Sequence, residues 1–133
     1  MQTKVVKIDS ANIDDAAMKE ACDLIRAGEL VAFPTETVYG LGGNALDPQA
    51  SMKIYAAKGR PSDNPLIVHI SKFEDLVSIA REVPPQAKKL ADAFWPGPLT
   101  MIVWKNDRVP YETTGGMDTV AIRMPKHPVA LRL

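Results

Sequence analysis

The placement of its prolines most constrains what this chain can fold into. Eleven of the 133 residues are proline, about 8% against a usual level of about 5%, and they fall at the borders of otherwise regular segments. Proline fixes φ and lacks the N–H that a helix or sheet interior needs, so each such position starts or stops an element. Leu30–Phe33 reads as a buried strand ended by Pro34. Asp47-Pro48 caps a helix, with proline in its first turn, running to about Ala57 until Lys58-Gly-Arg-Pro61 breaks it. Pro84-Pro85 opens another helix that Trp95-Pro-Gly-Pro98 must stop, and His127-Pro128 begins a last one.

Hydrophobic spacing supplies the remaining elements. Val5, Val6 and Ile8 suit a short first strand. Ile13, Ala17, Ala21, Leu24 and Ile25 recur at helical spacing, with Asn12 or Asp14 as N-cap and Gly28 at the C-terminal end. Tyr39–Asn44 reads as a glycine-rich loop and Phe73–Ala80 as a short helix. Leu66–Ile70, Leu99–Trp104 and Thr119–Met124 read as strands, the last two joined by a polar stretch, Asn106–Asp118. Strands alternating with helices predict an α/β fold. It is of mixed, α+β type: a twisted open sheet with helices packed on it, since some connections are too short for parallel crossovers.

Composition narrows the function classes. The length fits one domain, able to bury about two-thirds of its unfolded surface. Hydrophobic residues at 46% and charged residues at 24% exclude collagen-like and disordered chains. Lys plus Arg and Asp plus Glu each number 16. With zero net charge there is no whole-molecule footprint for nucleic acid or membrane, and phosphate affinity must come from local charge placement. The single cysteine, Cys22, excludes a disulfide framework and a Cys-rich zinc site; its helical setting reads as a small half-buried apolar residue. No apolar run approaches the roughly 18 residues that span a membrane, nor does the start suit a signal peptide. The expected setting is cytoplasmic.

Two segments are locally basic. No acid lies between Asp47 and Asp63, where Lys53, Lys58 and Arg60 stand, and none follows Asp118, where Arg123, Lys126 and Arg132 stand. Each reads either as a solvated face or as a phosphate contact; Gly59 and Pro61 around Lys58 and Arg60 favour close backbone approach to a ligand. Gly40-Leu-Gly-Gly-Asn-Ala45 formally fits a dinucleotide fingerprint, but its helix starts only near Pro48 and no acid ends a following strand. There is no P-loop. Thr35, Glu36 and Thr37 follow a strand end, a position suited to ligand binding and also to turn formation. His69 reads as a sheet-face residue or a ligand contact, and His127 as part of a helix entry. Two histidines without a carboxylate at matched spacing make no metal site, and no covalent nucleophile stands out. Trp95 and Trp104 read as core or strand anchors.

Four segments occur together in one order: Phe33-Pro-Thr-Glu-Thr-Val-Tyr-Gly-Leu-Gly42, Lys58-Gly-Arg-Pro-Ser-Asp-Asn-Pro-Leu66, Trp95-Pro-Gly-Pro-Leu-Thr100 and Gly115-Gly-Met-Asp-Thr-Val-Ala-Ile-Arg-Met-Pro125. Together they closely resemble the YrdC-like family, the threonylcarbamoyl-AMP synthases of tRNA modification. The resemblance covers nearly the whole chain and implies a YrdC/RibB-like fold over residues 1–133. It implies that L-threonine, bicarbonate or CO2, and ATP give threonylcarbamoyl-AMP and pyrophosphate for the t6A37 modification of tRNA, completed by a downstream threonylcarbamoyl transferase. By similarity, Thr35, His69 and Arg123 would bind threonine. Lys58 and Arg60 would be catalytic and hold ATP phosphates, with Ser62, Asn64 and Thr119 as further ATP contacts. Magnesium would arrive with ATP, carried by phosphates and water.

The family's domain continues past the His-Pro helix into another strand and a Ser-Ala-Asn motif that closes the nucleotide site. The resemblance therefore implies a domain interrupted at Leu133, with little or no ATP–pyrophosphate exchange by these residues alone. Other readings from different classes are a double-stranded RNA or tRNA-binding module, an inactive paralogue, and the related domain of hydrogenase-maturation carbamoyltransferases.

Overall fold

In the computed structural model, which describes residues 2–133, the strands sort into two sheets. The larger has three strands in the order β3 (Ile67–His69), β5 (Thr119–Arg123), β4 (Thr100–Trp104). β4 runs antiparallel to β5 and β3 parallel to it, so the sheet is mixed, although both connections within it are long enough for parallel crossovers. Strand alternation then decides the core. Val68, Met101, Val103, Val120 and Ile122 all point to one face and are buried there. Against them pack Leu76 and Ile79 from α3 (Phe73–Ile79) and Ala87 and Ala91 from α4 (Pro85–Phe94). Each large apolar side chain removed from water contributes about 1.5–3 kcal/mol, so this layer supplies most of the drive to fold. Ile67, Ile102 and Trp104 lie on the opposite face and stay 47%, 70% and 50% exposed.

The smaller sheet pairs β1 (Val31–Phe33) antiparallel with β2 (Gly40–Gly42). The glycine-rich run predicted as a loop is therefore a strand, and the reason is steric. The Phe33 ring lies across Gly40 and Gly42; a Cβ at Gly42 would stand 2.7 Å from Phe33 Cε1. Another expectation fails at the N-terminus. Val5 and Val6 are 90% and 45% exposed and form no strand; the nearest pairing is the Asp9–Asn12 bridge. Their alternation finds no neighbouring strand among the described residues, and without one it has no face to bury.

The helices begin and end where capping chemistry dictates. Asp14 accepts the Ala16 and Ala17 amides at the start of α1 (Asp15–Arg26), and Asp47 accepts the Gln49 amide at the start of α2 (Pro48–Lys58). Gly59, in the left-handed region at φ 59°, ends α2. His127 caps α6 (Pro128–Arg132) through Nδ1, which accepts the Val129 amide at 3.1 Å. Cys22 is half-buried on α1, as its setting predicted. Trp95 packs against the core and Trp104 stands half-exposed on β4.

The polar stretch Asn106–Asp118 conceals a short helix, α5 (Tyr111–Thr114). Its Thr113 and Thr114 are each 1% exposed, which composition cannot suggest. Thr113 Oγ1 donates to the Ala45 carbonyl at 2.7 Å and lies 2.7 Å from Ser51 Oγ. With its proton committed to Ala45, Thr113 can only accept from Ser51, so both hydroxyls are satisfied inside the α2–α5 contact. Among the described residues, no helix is long and apolar enough to cross a membrane.

Candidate functional site

The parallel pairing of β3 and β5 gathers polar side chains at one end of the larger sheet. His69 and Arg123 stand directly opposite each other at the carboxyl ends of these strands, with Thr100 of β4 on the other side of Arg123. That edge is where open α/β sheets bind ligands. The turn following β1 reaches the same place, because Glu36 pairs with the Arg123 guanidinium and accepts the Lys126 amide at 2.8 Å. Arg123 Nε also donates to the Gly97 carbonyl at 3.1 Å. The Arg123 and Glu36 side chains keep only 11% and 22% of their surface accessible, so water screens this pair far less than a surface pair.

Thr35 is held within its own turn. Its hydroxyl donates to the Val38 carbonyl at 2.6 Å and accepts the Thr37 amide at 3.2 Å. Thr37 Oγ1 lies 3.1 Å away and can only donate to it, so a ligand donor would reach Thr35 Oγ1 by taking the place of the Thr37 hydroxyl. His69 completes the edge: Phe33 meets its ring edge-on at 5.7 Å, and His69 Nδ1 lies 3.1 Å from the Ile67 carbonyl. The residue is exposed overall, but the Phe33 ring and its own strand cover part of the imidazole. Lost hydration there, with the Arg123 charge, lowers its pKa below the ordinary 6.5, against the raising pull of the Ile67 carbonyl and Glu36.

The second group of predicted residues lies at the other end of the sheet. The loop carrying Arg60, Ser62 and Asn64 leads into β3, and its Leu66 amide donates to Thr113 O at 3.0 Å. Gly115 closes it from beneath: a Cβ there would stand 2.7 Å from Asp63 O. Lys58 is exposed at the C-terminal end of α2, while Arg60 Nη2 folds back onto Pro65 O at 2.9 Å. Beside it the buried Tyr55 hydroxyl and Arg60 Nε have no partner; burial raises the Tyr55 pKa, with the Arg60 charge opposing. Thr119 opens β5 at this same end, about 13 Å of strand away from Arg123. The Glu36–Arg123 and Phe33–His69 contacts bring the Thr35 turn, His69 and Arg123 together, whereas Thr119 lies at the opposite end of β5, paired with Trp104.

The two basic segments do not act as blocks. Lys53 donates to Gly28 O at 2.9 Å, behind α1, and Arg132 pairs with Asp15. Charge runs in sequence cannot reveal such partners. Sequence alone places Glu36 after β1 without marking it as a site residue. Its only signal is an acid flanked by two threonines at a strand end.

An α/β fold with polar side chains gathered at the carboxyl ends of a parallel strand pair is the class of protein that this geometry defines. The family model described as Telomere recombination, for Sua5, YciO and YrdC, matches residues 23–133. The chain is 57% identical over 121 residues to the threonylcarbamoyl-AMP synthase of Pyrococcus abyssi, a match covering 91% of this chain and 36% of that one. It is 52% identical over 126 residues to the Bacillus subtilis threonylcarbamoyl-AMP synthase, covering 94% of this chain and 36% of that one. Among solved structures it is similar to the crystal structure of P. abyssi Sua5 complexed with L-threonine, with a TM-score of 0.89 and 56% identity over 91% of this chain and 36% of that one. The chain belongs to the Sua5/YciO/YrdC family. It spans just over a third of the length of these relatives.

Proposed function

We propose that this chain supplies the threonine and ATP-phosphate contacts of an L-threonylcarbamoyladenylate synthase. The reading is carried by its 56% identity to a protein whose crystal structure holds L-threonine. The gathering of Thr35, His69 and Arg123 at one sheet edge supports it. The ligand carboxylate would take free N–H groups of Arg123, whose planar fork matches it, and a ligand hydroxyl or ammonium would donate to Thr35. Lys58 and Arg60, with Ser62, Asn64 and Thr119, would hold the triphosphate at the far end of the sheet, ATP arriving as its magnesium complex.

In this reaction the threonine amine adds to CO2, supplied as such or from bicarbonate, and releases a proton. A carbamate oxygen then attacks the α-phosphorus of ATP and expels pyrophosphate. The protein provides no nucleophile. Holding two substrates in line and neutralising phosphate charge are its tasks. We place the reaction in the cytoplasm, where ATP and tRNA are available; the product would pass to a threonylcarbamoyl transferase acting on tRNA.

Calorimetric titration of the 133-residue chain with L-threonine tests the reading. We expect saturable binding that Arg123→Lys weakens at least about tenfold, since a lysine cannot reproduce the fork. No binding by the wild-type chain, or unaltered binding by R123K, would overturn it.

A further inference from the structure

The two parts of the amino-acid subsite come from different sheets. Thr35 follows β1, whereas His69 and Arg123 end β3 and β5. Glu36 spans the gap. One oxygen pairs with Arg123 and the other accepts the Lys126 amide at 2.8 Å, so both are engaged and by different segments of the same strand exit. On the far side, Gly97 O holds Arg123 Nε. A guanidinium has five N–H donors; these contacts take one on Nε and one on Nη2. Among the described residues the remaining donors have no partner, and they lie in a plane already fixed on two sides.

We propose that Glu36 is the positioning residue of this subsite. Its carboxylate fixes the Thr35 turn against the Arg123 strand end, and thereby sets the affinity and side-chain selectivity for a small α-amino acid. The inference rests on the threonine reading of Thr35 and Arg123. The alternative role is a stopper: a carboxylate resting on Arg123 that an incoming ligand carboxylate must displace. The second bond, to Lys126, argues for the bracket, since displacement would strand a backbone amide as well. The pair also leaves the subsite near neutral, which suits a zwitterion better than a dianion.

The test compares the wild-type chain with Glu36→Gln and Glu36→Ala by calorimetry against L-threonine and L-serine, and by amide hydrogen exchange without ligand. Gln keeps the shape of the bracket but turns an N–H2 group towards one of its two donors. We expect E36A to weaken L-threonine at least about tenfold, with E36Q intermediate. The preference for threonine over serine should shrink, because a loosened gap no longer measures one methyl group. In the ligand-free protein the Lys126 amide should exchange faster in E36A. Tighter threonine binding by E36A would establish the stopper and overturn the bracket; unchanged affinity or unchanged Lys126 exchange would overturn the bracket without establishing the stopper. If the wild-type chain binds no threonine, the amino-acid reading fails, and Lys126 exchange alone decides whether Glu36 joins the two segments.

Discussion

Phe33 and His69 meet edge to face across the seam between the two sheets, their ring centroids 5.7 Å apart at an interplanar angle of 77°. The contact joins the end of β1 to the end of β3, the two strands that lead to Thr35 and His69, which we propose as threonine contacts. An aromatic pair of this geometry contributes about 0.5–1.5 kcal/mol beyond its buried area. Its larger effect here is orientation, since it fixes which edge of the imidazole remains open.

Crowding and the Arg123 charge depress the His69 pKa below 6.5, so the folded protein binds fewer protons at this site than the unfolded chain. The stability it contributes is complete above pH 6.5 and is lost as pH falls through the lower folded value. We expect the melting temperature to drop on acidification below pH 6.5, and the drop to be shallower in His69→Gln. An NMR titration of His69 with a midpoint at or above 6.5 would contradict this.

Gly42→Ala should disturb His69 without touching it. The new Cβ, 2.7 Å from Phe33 Cε1, forces the Phe33 ring to turn and so changes the ring current felt by the imidazole. The expected outcome is a shift of the His69 ring protons together with about 1–3 kcal/mol of destabilisation. Unmoved His69 signals would show that the Phe33 contact does not orient it.

Thr113→Val keeps the shape of the buried α2–α5 contact but removes the hydroxyl that serves Ala45 O and Ser51. A cost of about 2 kcal/mol is expected from the groups left unpaired. Adding Ser51→Ala should recover part of it, because the stranded Ser51 hydroxyl disappears. Denaturant unfolding of both single variants and the double variant measures the coupling. Strict additivity would mean that the two hydroxyls do not depend on each other.

Gly115 and Gly116 both have positive φ, at 63° and 85°, but only Gly115 faces a neighbour, Asp63 O at 2.7 Å. Alanine at Gly116 should therefore carry the backbone cost alone, about 1–2 kcal/mol. Alanine at Gly115 should cost clearly more and displace the loop bearing Ser62 and Asn64. Equal destabilisation of the two variants in urea would show that the close approach does not matter.

Local chemistry was legible in the sequence where one residue decides the outcome. Asp14 and Asp47 cap the helices read from them, and Pro48, Pro85 and Pro128 open theirs. The three strands of the larger sheet also lie where apolar runs place them. What was missed depends on partners distant in sequence. Gly40 and Gly42 form a strand because of the Phe33 ring, and Thr113 is buried because Ala45 and Ser51 satisfy it. Lys53 and Arg132, read with the basic segments, turn to Gly28 and Asp15. Resemblance singled out Thr35, His69 and Arg123 residue by residue, yet Glu36, which ties the Thr35 turn to Arg123, shows that contact only once positions 36 and 123 meet.

The parallel pairing of β3 with β5 also bears on how the chain reaches this structure. Thr119 pairs with Trp104 only some fifteen positions away, whereas Ala121 pairs with Ile67 across more than fifty, and loop closure costs more entropy as the loop lengthens. The β4–β5 hairpin is expected to form first and β3 to dock afterwards, which pulse-labelled hydrogen exchange can follow as early protection of the amides between β4 and β5. Protection of Ile67–His69 before the hairpin would reverse that order. On this route His69 and Arg123 come together among the last contacts made, so a chain arrested short of full folding would hold much of its core and still lack the pairing of His69 with Arg123.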